Sequence, residues 1–173
     1  KYNFIKISDC IDIINNNMLN ELPENACLLT FDDGYIDHYE NVFPILKKEN
    51  IQGCFFPPAR AILKNEVLDV NKIHFILERT DKKIDELKKE VFNLLNEFRS
   101  EYNLLTNNYY FNKLAVPSRF DIAEVIFIKR LLQVKLKEKL RKIIIDRLFF
   151  NHVTNDEKSF SKSLYMNTSQ LKF

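Results

Sequence analysis

At 173 residues, with 46% hydrophobic and 29% charged residues, the chain has the length of one compact unit or a piece of one, and its composition lies well clear of disordered sequences. Its 26 basic and 24 acidic residues leave a formal charge of +2, too small to draw in nucleic acid or an anionic membrane by field alone. No apolar run approaches the roughly 20 residues of a bilayer span and no secretory leader pattern opens the chain, so it reads as soluble and without a transmembrane segment.

In chain order, Phe4 to Ile7 forms a short β-type run. Ser8 or Asp9 can then cap a helix that carries Ile11, Ile13 and Ile14 and is broken at Asn15 to Asn17. Cys27 to Phe31 is continuously apolar or β-branched, as expected of a strand buried on both faces, and it stops at Asp32-Asp33-Gly34. Tyr39, Val42, Phe43 and Leu46 fall at helical spacing, with Pro44 inside the helix or in its first turn. A third strand runs from Ile51 to Phe56 and ends at Pro57-Pro58. Strands alternating with helices across short joints predict parallel pairing and an α/β sheet or barrel.

From about Asp69 the pattern turns helical. Val70, Ile73, Ile76 and Leu77 define a short helix, and Ile84, Leu87, Val91, Leu94, Leu95 and Phe98 a longer one. Asn107 to Phe111 reads as a polar-aromatic loop whose rings could line a sugar groove but more readily pack. Asp121 is placed to cap the first of one or two long helices running from Ile122 to Leu148. The expected organisation is a βα part over residues 1–68 and a helical insertion over 69–173. The chain ends in what reads as the first turn of a helix, Thr168 to Phe173, and the expectation is a fragment.

Glycine occurs only twice, at Gly34 and Gly53, which excludes glycine-rich phosphate loops. Cys10, Cys27 and Cys54 are odd in number and widely spaced, so they read as buried free thiols of a reducing compartment. That favours the cytoplasm for the chain as given and leaves the cell envelope open for a full-length protein. The basic residues Lys82-Lys83, Lys88-Lys89 and Lys135 to Lys142 lie among acids or opposite apolar stripes and read as solvated helix faces. His38 reads as a helix-entry residue, His74 as an ordinary helical one, and His152 as a residue facing the negative end of a helix dipole.

Chemistry is most legible at Thr30-Phe31-Asp32-Asp33-Gly34-Tyr35, which sets adjacent carboxylates at the carboxyl end of a strand, where parallel α/β folds build sites. Adjacent side chains there point in different directions, so one can hold a metal while the other acts as a base. Taken alone, Asp32-Asp33-Gly34 reads more readily as a simple polar turn. The wider string, with Asp37, Tyr39, Pro44-Ile45-Leu46 and Phe55-Phe56, resembles the first motif of the polysaccharide deacetylases, carbohydrate esterase family four. Arg119-Phe120-Asp121, Lys129 to Gln133, Ile144-Ile145-Asp146 and Leu164-Tyr165-Met166 resemble a bacterial branch of that family with a helical insertion.

The resemblance implies a partial (β/α) barrel with a large all-helical insertion, belonging to a hydrolase that acts on carbon-nitrogen bonds other than peptides. The implied reaction removes acetyl groups from N- or O-acetylated cell-surface glycans with a zinc-like divalent metal. Asp32 matches the general base and Asp33 the carboxylate ligand, while Tyr35 and Phe56 are the candidates for contacting the acetylated polysaccharide. The family's two histidine ligands lie four residues apart, and Val42, Glu78 and Asp156 stand at that distance after His38, His74 and His152. The chain is therefore expected to stop before the second motif and to be inactive alone, with an exposed sheet edge or the helical part available for self-association. Two other readings are a non-catalytic glycan-binding or interaction module on a degenerate barrel, and a helical interaction domain with an incidental turn. The last predicts no parallel strands in residues 1–60.

Overall fold

The structure is a computed structural model that describes residues 1–80 and 83–172; Lys82 and Phe173 lie outside the described residues. The elements are β1 (Asn3–Phe4), α1 (Ile7–Asn15), β2 (Ala26–Cys27), β3 (Leu29–Asp32), α2 (Phe43–Lys48), β4 (Gly53–Phe56), α3 (Ala59–Lys64), α4 (Asp69–Arg79), α5 (Ile84–Glu97), α6 (Arg99–Tyr102), α7 (Asn107–Leu114), α8 (Ala123–Arg130), α9 (Glu138–His152) and α10 (Glu157–Leu164). They form two compact units, one of residues Lys1–Glu66 with the chain from Lys158 on, the other Val67–Glu157. The fold is mixed helix and strand, and no closed barrel forms among the described residues.

In the first unit the strands make two parallel pairs, β1 with β2 and β3 with β4. The expected single strand from Cys27 to Phe31 is thus two strands with different partners. It is also not buried on both faces: Leu29 and Phe31 are half-buried while Thr30 and Asp32 are exposed, as the period-two alternation of a pair covered on one face requires. The parallel register Leu29 to Gly53 through Asp32 to Phe56 excludes the purely helical reading of this segment.

Local signals explain the boundaries. α1 begins at Ile7, with the Cys10 N–H bonded to the Lys6 carbonyl, so Ser8 and Asp9 sit inside its first turn instead of capping it. Asn17, with φ 55°, ends it in the left-handed conformation that asparagine tolerates. A wide π-type turn at His38–Val42 feeds α2, where Pro44 occupies the first turn and no helical N–H is lost. Among the described residues, Leu46, Cys54, Ala61, Tyr165 and Met166 are the buried apolar residues of this unit, while Cys10 and Cys27 are only half-buried.

Gly53 lies where β4 crosses α2. A Cβ there would stand 2.8 Å from Leu46 Cδ1 and 2.9 Å from Phe31 Cε2. Gly53→Ala should therefore cost about 1–3 kcal/mol by overpacking. A urea melt of the variant checks it, and an unchanged midpoint would contradict the close approach.

The second unit is helical and carries the larger core. Ile73 and Ile76 of α4, Val91 and Leu95 of α5, Phe127 and Ile128 of α8, and Ile144 and Leu148 of α9 are almost fully buried, each contributing roughly 1.5–3 kcal/mol by removal from water. The expected loop at 107–111 is the start of α7. Thr106 caps it, its hydroxyl accepting from the Tyr109 N–H at 3.2 Å, and the half-buried Phe111 packs edge-on against Phe92 and the buried Phe127. Asp121 does not cap α8. Its carboxylate pairs with Lys129 at 2.7 Å, and the Ser118 hydroxyl accepts the nearby N–H groups of Phe120 and Asp121.

One polar cluster fastens this unit at its ends. The Lys72 ammonium, with the side chain 1% exposed, lies 2.6 Å from Asp146 and 2.9 Å from Glu157, and Glu157 also accepts the Val67 N–H at 2.8 Å. Val67 and Glu157 are the first and last residues of the unit, so its entry and exit meet at one carboxylate.

Candidate active site

Because β3 and β4 run parallel and in register, Asp32 and Phe56 stand side by side at their carboxyl ends. Asp32 closes β3 and is exposed; Phe56 is exposed as well. Asp33 and Gly34 follow with φ 69° and 65°, two consecutive left-handed residues that reverse the chain within one step. Asp tolerates that conformation better than a β-branched residue would, and glycine adopts it freely. The reversal turns the Asp33 side chain away from the strand-end direction kept by Asp32.

The turn is held from outside by the segment after α10. The Met166 N–H donates to the Gly34 carbonyl at 2.9 Å, and Tyr35 and Tyr165 form an antiparallel bridge with rings stacked at 5.8 Å. The Tyr35 hydroxyl donates to Asp33 Oδ2 at 3.4 Å. Burial, then the charge of Asp33, pushes the Tyr35 phenol up to about 12, so it stays protonated and remains a donor to that carboxylate at neutral pH.

His38 stands beside this group. Its N–H donates to the Tyr35 carbonyl at 3.0 Å, and its ring packs against Phe31, Tyr35 and Phe55 at centroid separations of 5.6–6.0 Å. Burial holds the imidazole below its ordinary value against the opposing pull of Asp37, Asp33 and Asp32. Its Nδ1 is buried without a hydrogen-bond partner. The sequence marked His38 only as a helix-entry residue; its place in the aromatic cluster depends on Phe55, which strand pairing brings in. Tyr165 was likewise legible only as part of a resemblance, since its contact with Tyr35 spans most of the chain.

The other histidines stand in the second unit. His74 is exposed on α4, and His152, the last residue of α9, lies with Nε2 2.6 Å from Glu90 Oε2. Among the described residues no three His, Cys, Asp or Glu side chains converge in a group able to hold a metal ion. Asp32 and Asp33 offer carboxylates without the imidazoles that a zinc-like site needs, so these residues by themselves do not fit such an ion. No helix among the described residues is long and apolar enough to cross a membrane.

With this geometry in place, comparison with known proteins is informative. Residues 20–97 match the family model described as polysaccharide deacetylase, a span that contains β3, the turn and β4. The Bacillus subtilis protein YxkH, assigned as a polysaccharide deacetylase, is 42% identical over 41 residues, covering 23% of this chain and 15% of that protein. No solved structure gives a significant match. The parallel strand pair, the paired acids at its carboxyl end and the matched segment agree, and over residues 20–97 the chain is similar to the polysaccharide deacetylases, while it spans only 15% of the length of the Bacillus subtilis relative.

Proposed function

We propose that the chain supplies the front half-site of an enzyme that removes acetyl groups from an N- or O-acetylated polysaccharide. The observation that carries this reading is the division of labour between two adjacent acids. Asp32 is exposed at the strand end and free to take the proton of the attacking water, as a general base must. Asp33 is turned aside at φ 69° and fixed by the Tyr35 hydroxyl, as befits a ligand whose direction matters. We assign to the complete enzyme a divalent, zinc-like ion whose imidazole ligands come from outside these residues. Tyr35 and Phe56 border the place where substrate would lie, and the helical unit Val67–Glu157 is read as an insertion between parts of the deacetylase fold. Alone, the chain is expected to hydrolyse little or nothing.

Calorimetric titration with zinc tests this on the chain and on a longer gene product that continues past Phe173 through the next motif. The longer protein should bind zinc tightly, the chain weakly, and Asp33→Ala should lower the affinity by more than the roughly 10–100-fold typical of lost supporting contacts. Asp32→Asn should leave zinc binding in place and abolish hydrolysis of an acetylated glycan. If the longer protein ignores zinc, the hydrolase reading fails and a glycan-binding module replaces it.

A further inference from the structure

A pocket of about 250 Å³ opens in the helical unit where the start of α4, a wide turn at Leu131–Lys135 and the start of α9 meet. Its lining residues, Asp69, Val70, Ile73, Leu132, Gln133 and Arg141, all belong to that unit. Ile73 and Leu132 are each 1% exposed and supply an apolar floor, and the exposed Val70 stands beside them.

The protein leaves both charged groups of this pocket incomplete. Asp69 is half-buried, yet its Oδ1 is sealed from solvent and has no hydrogen-bond partner. An acid in the first turn of a helix gains from the dipole while fully solvated, so helix stability gives no reason to bury that oxygen. Arg141, by contrast, is held in place. The wide turn closes with the Leu136 N–H on the Leu131 carbonyl at 3.2 Å, and the Gln133 carbonyl within it accepts from Arg141 Nη1. That bond fixes the guanidinium and leaves its other N–H groups without an acceptor among the described residues. Although Asp69 and Arg141 line one small pocket, no ion pair joins them.

We propose that this pocket binds a free α-amino acid with a branched aliphatic side chain, of the size of valine or leucine. Opposite charges that share a pocket without pairing are complementary to a ligand carrying the reverse arrangement, an ammonium for Asp69 and a carboxylate for Arg141. The ammonium gives Asp69 Oδ1 the donor it lacks. The carboxylate meets the planar guanidinium fork, which matches it better than a point charge would. The hydrocarbon side chain lies on Ile73 and Leu132 and removes their pocket faces from water. The volume equals about eight water molecules at ~30 Å³ each and falls below the roughly 300 Å³ at which drug-sized sites begin, which suits one amino acid and not a peptide or a glycan. None of these groups belongs to the unit that carries Asp32 and Asp33, so the site stands or falls apart from the deacetylase reading.

The test needs neither metal nor glycan. Amide resonances of the chain are followed by NMR while leucine is added, with isoamylamine and 4-methylpentanoate as probes that keep the side chain and lack the carboxylate or the ammonium. Millimolar binding of leucine is expected, with shifts concentrated at residues 69–73, 131–136 and 141, and each half-molecule should bind at least tenfold more weakly. Asp69→Asn removes the charge at constant shape, and Arg141→Lys keeps a donor for the Gln133 carbonyl and loses the fork. Each should weaken leucine binding about tenfold or more while the variant without ligand melts within a few degrees of the parent. The proposal is overturned if tens of millimolar leucine shifts nothing in those segments, if either half-molecule binds as tightly as leucine, or if both variants bind as the parent does. It is also overturned if Asp69→Asn unfolds the helical unit, since the carboxylate would then serve the fold and not a ligand.

Discussion

Replacing Asp146 and Glu157 together by asparagine and glutamine should destabilise the helical unit by about 2–3 kcal/mol, while Lys72→Met should cost about 1 kcal/mol or less. The asymmetry follows from which charge is buried. The Lys72 side chain is 1% exposed, whereas Asp146 is 40% and Glu157 33% exposed. Remove the lysine, and both carboxylates can turn to water while a methionine thioether fills the space of the stem. Neutralise the carboxylates, and an ammonium is left inside with no counter-charge; its position 5.4 Å above the Phe149 ring offsets only part of the penalty. The amides still accept hydrogen bonds, which places the cost at or below the lower end of the 3–5 kcal/mol expected for a broken buried pair. Urea melts of the three variants check this, and equal losses for all would show that packing, not charge, sets the stability here.

The same cluster gives a dependence on alkaline pH. Burial pushes the Lys72 ammonium down, but the hydrogen bonds to Asp146 and Glu157 outweigh it and hold the group above its ordinary 10.5. A folded value above the unfolded one means stability that is fully present below about pH 10.5 and lost as pH rises through the folded value. Melts between pH 9 and 12 should show a loss in the parent that Lys72→Met removes.

What could be read without coordinates was local. β3 and the turn are visible because an apolar run stops at two acids and a glycine, and α4 and α5 because their apolar residues repeat at 3.6. What escaped depends on partners far along the chain. The split between β2 and β3 comes from pairing with β1 and β4, which no local pattern states. Nothing local singles out Lys72 on α4, since its two counter-charges lie 74 and 85 residues downstream. α7 was missed because Thr106 is followed at the third helical position by Tyr109, not by the Glu or Gln that marks a capping box. At the site, Asp32, Asp33, Tyr35 and Phe56 do gather at the ends of β3 and β4, and the same strand pairing adds His38 through Phe55.

Gly34→Ala should be the most damaging single-methyl change in the first unit, lowering its stability by about 3 kcal/mol. The backbone at φ 65° already costs an L-residue with a Cβ about 1–2 kcal/mol. The added Cβ would also stand 2.8 Å from Pro57 Cβ and 3.1 Å from Pro57 Cα, and neither a proline ring nor a backbone atom can swing aside as the end of a flexible side chain can. To relieve the contact the turn has to move, which pulls the Gly34 carbonyl from the Met166 N–H and separates the stacked Tyr35 and Tyr165 rings. Asp33→Gly makes the opposite change at the neighbouring residue: it relaxes a left-handed aspartate and removes the carboxylate. It should melt at or above the parent's temperature, yet lose zinc affinity in the longer protein. Gly34→Ala should melt roughly 10 °C or more below the parent. Should both variants melt together, backbone handedness is not what holds the turn; should Asp33→Gly keep full zinc affinity, the carboxylate is not a ligand and the paired acids serve only to shape the chain.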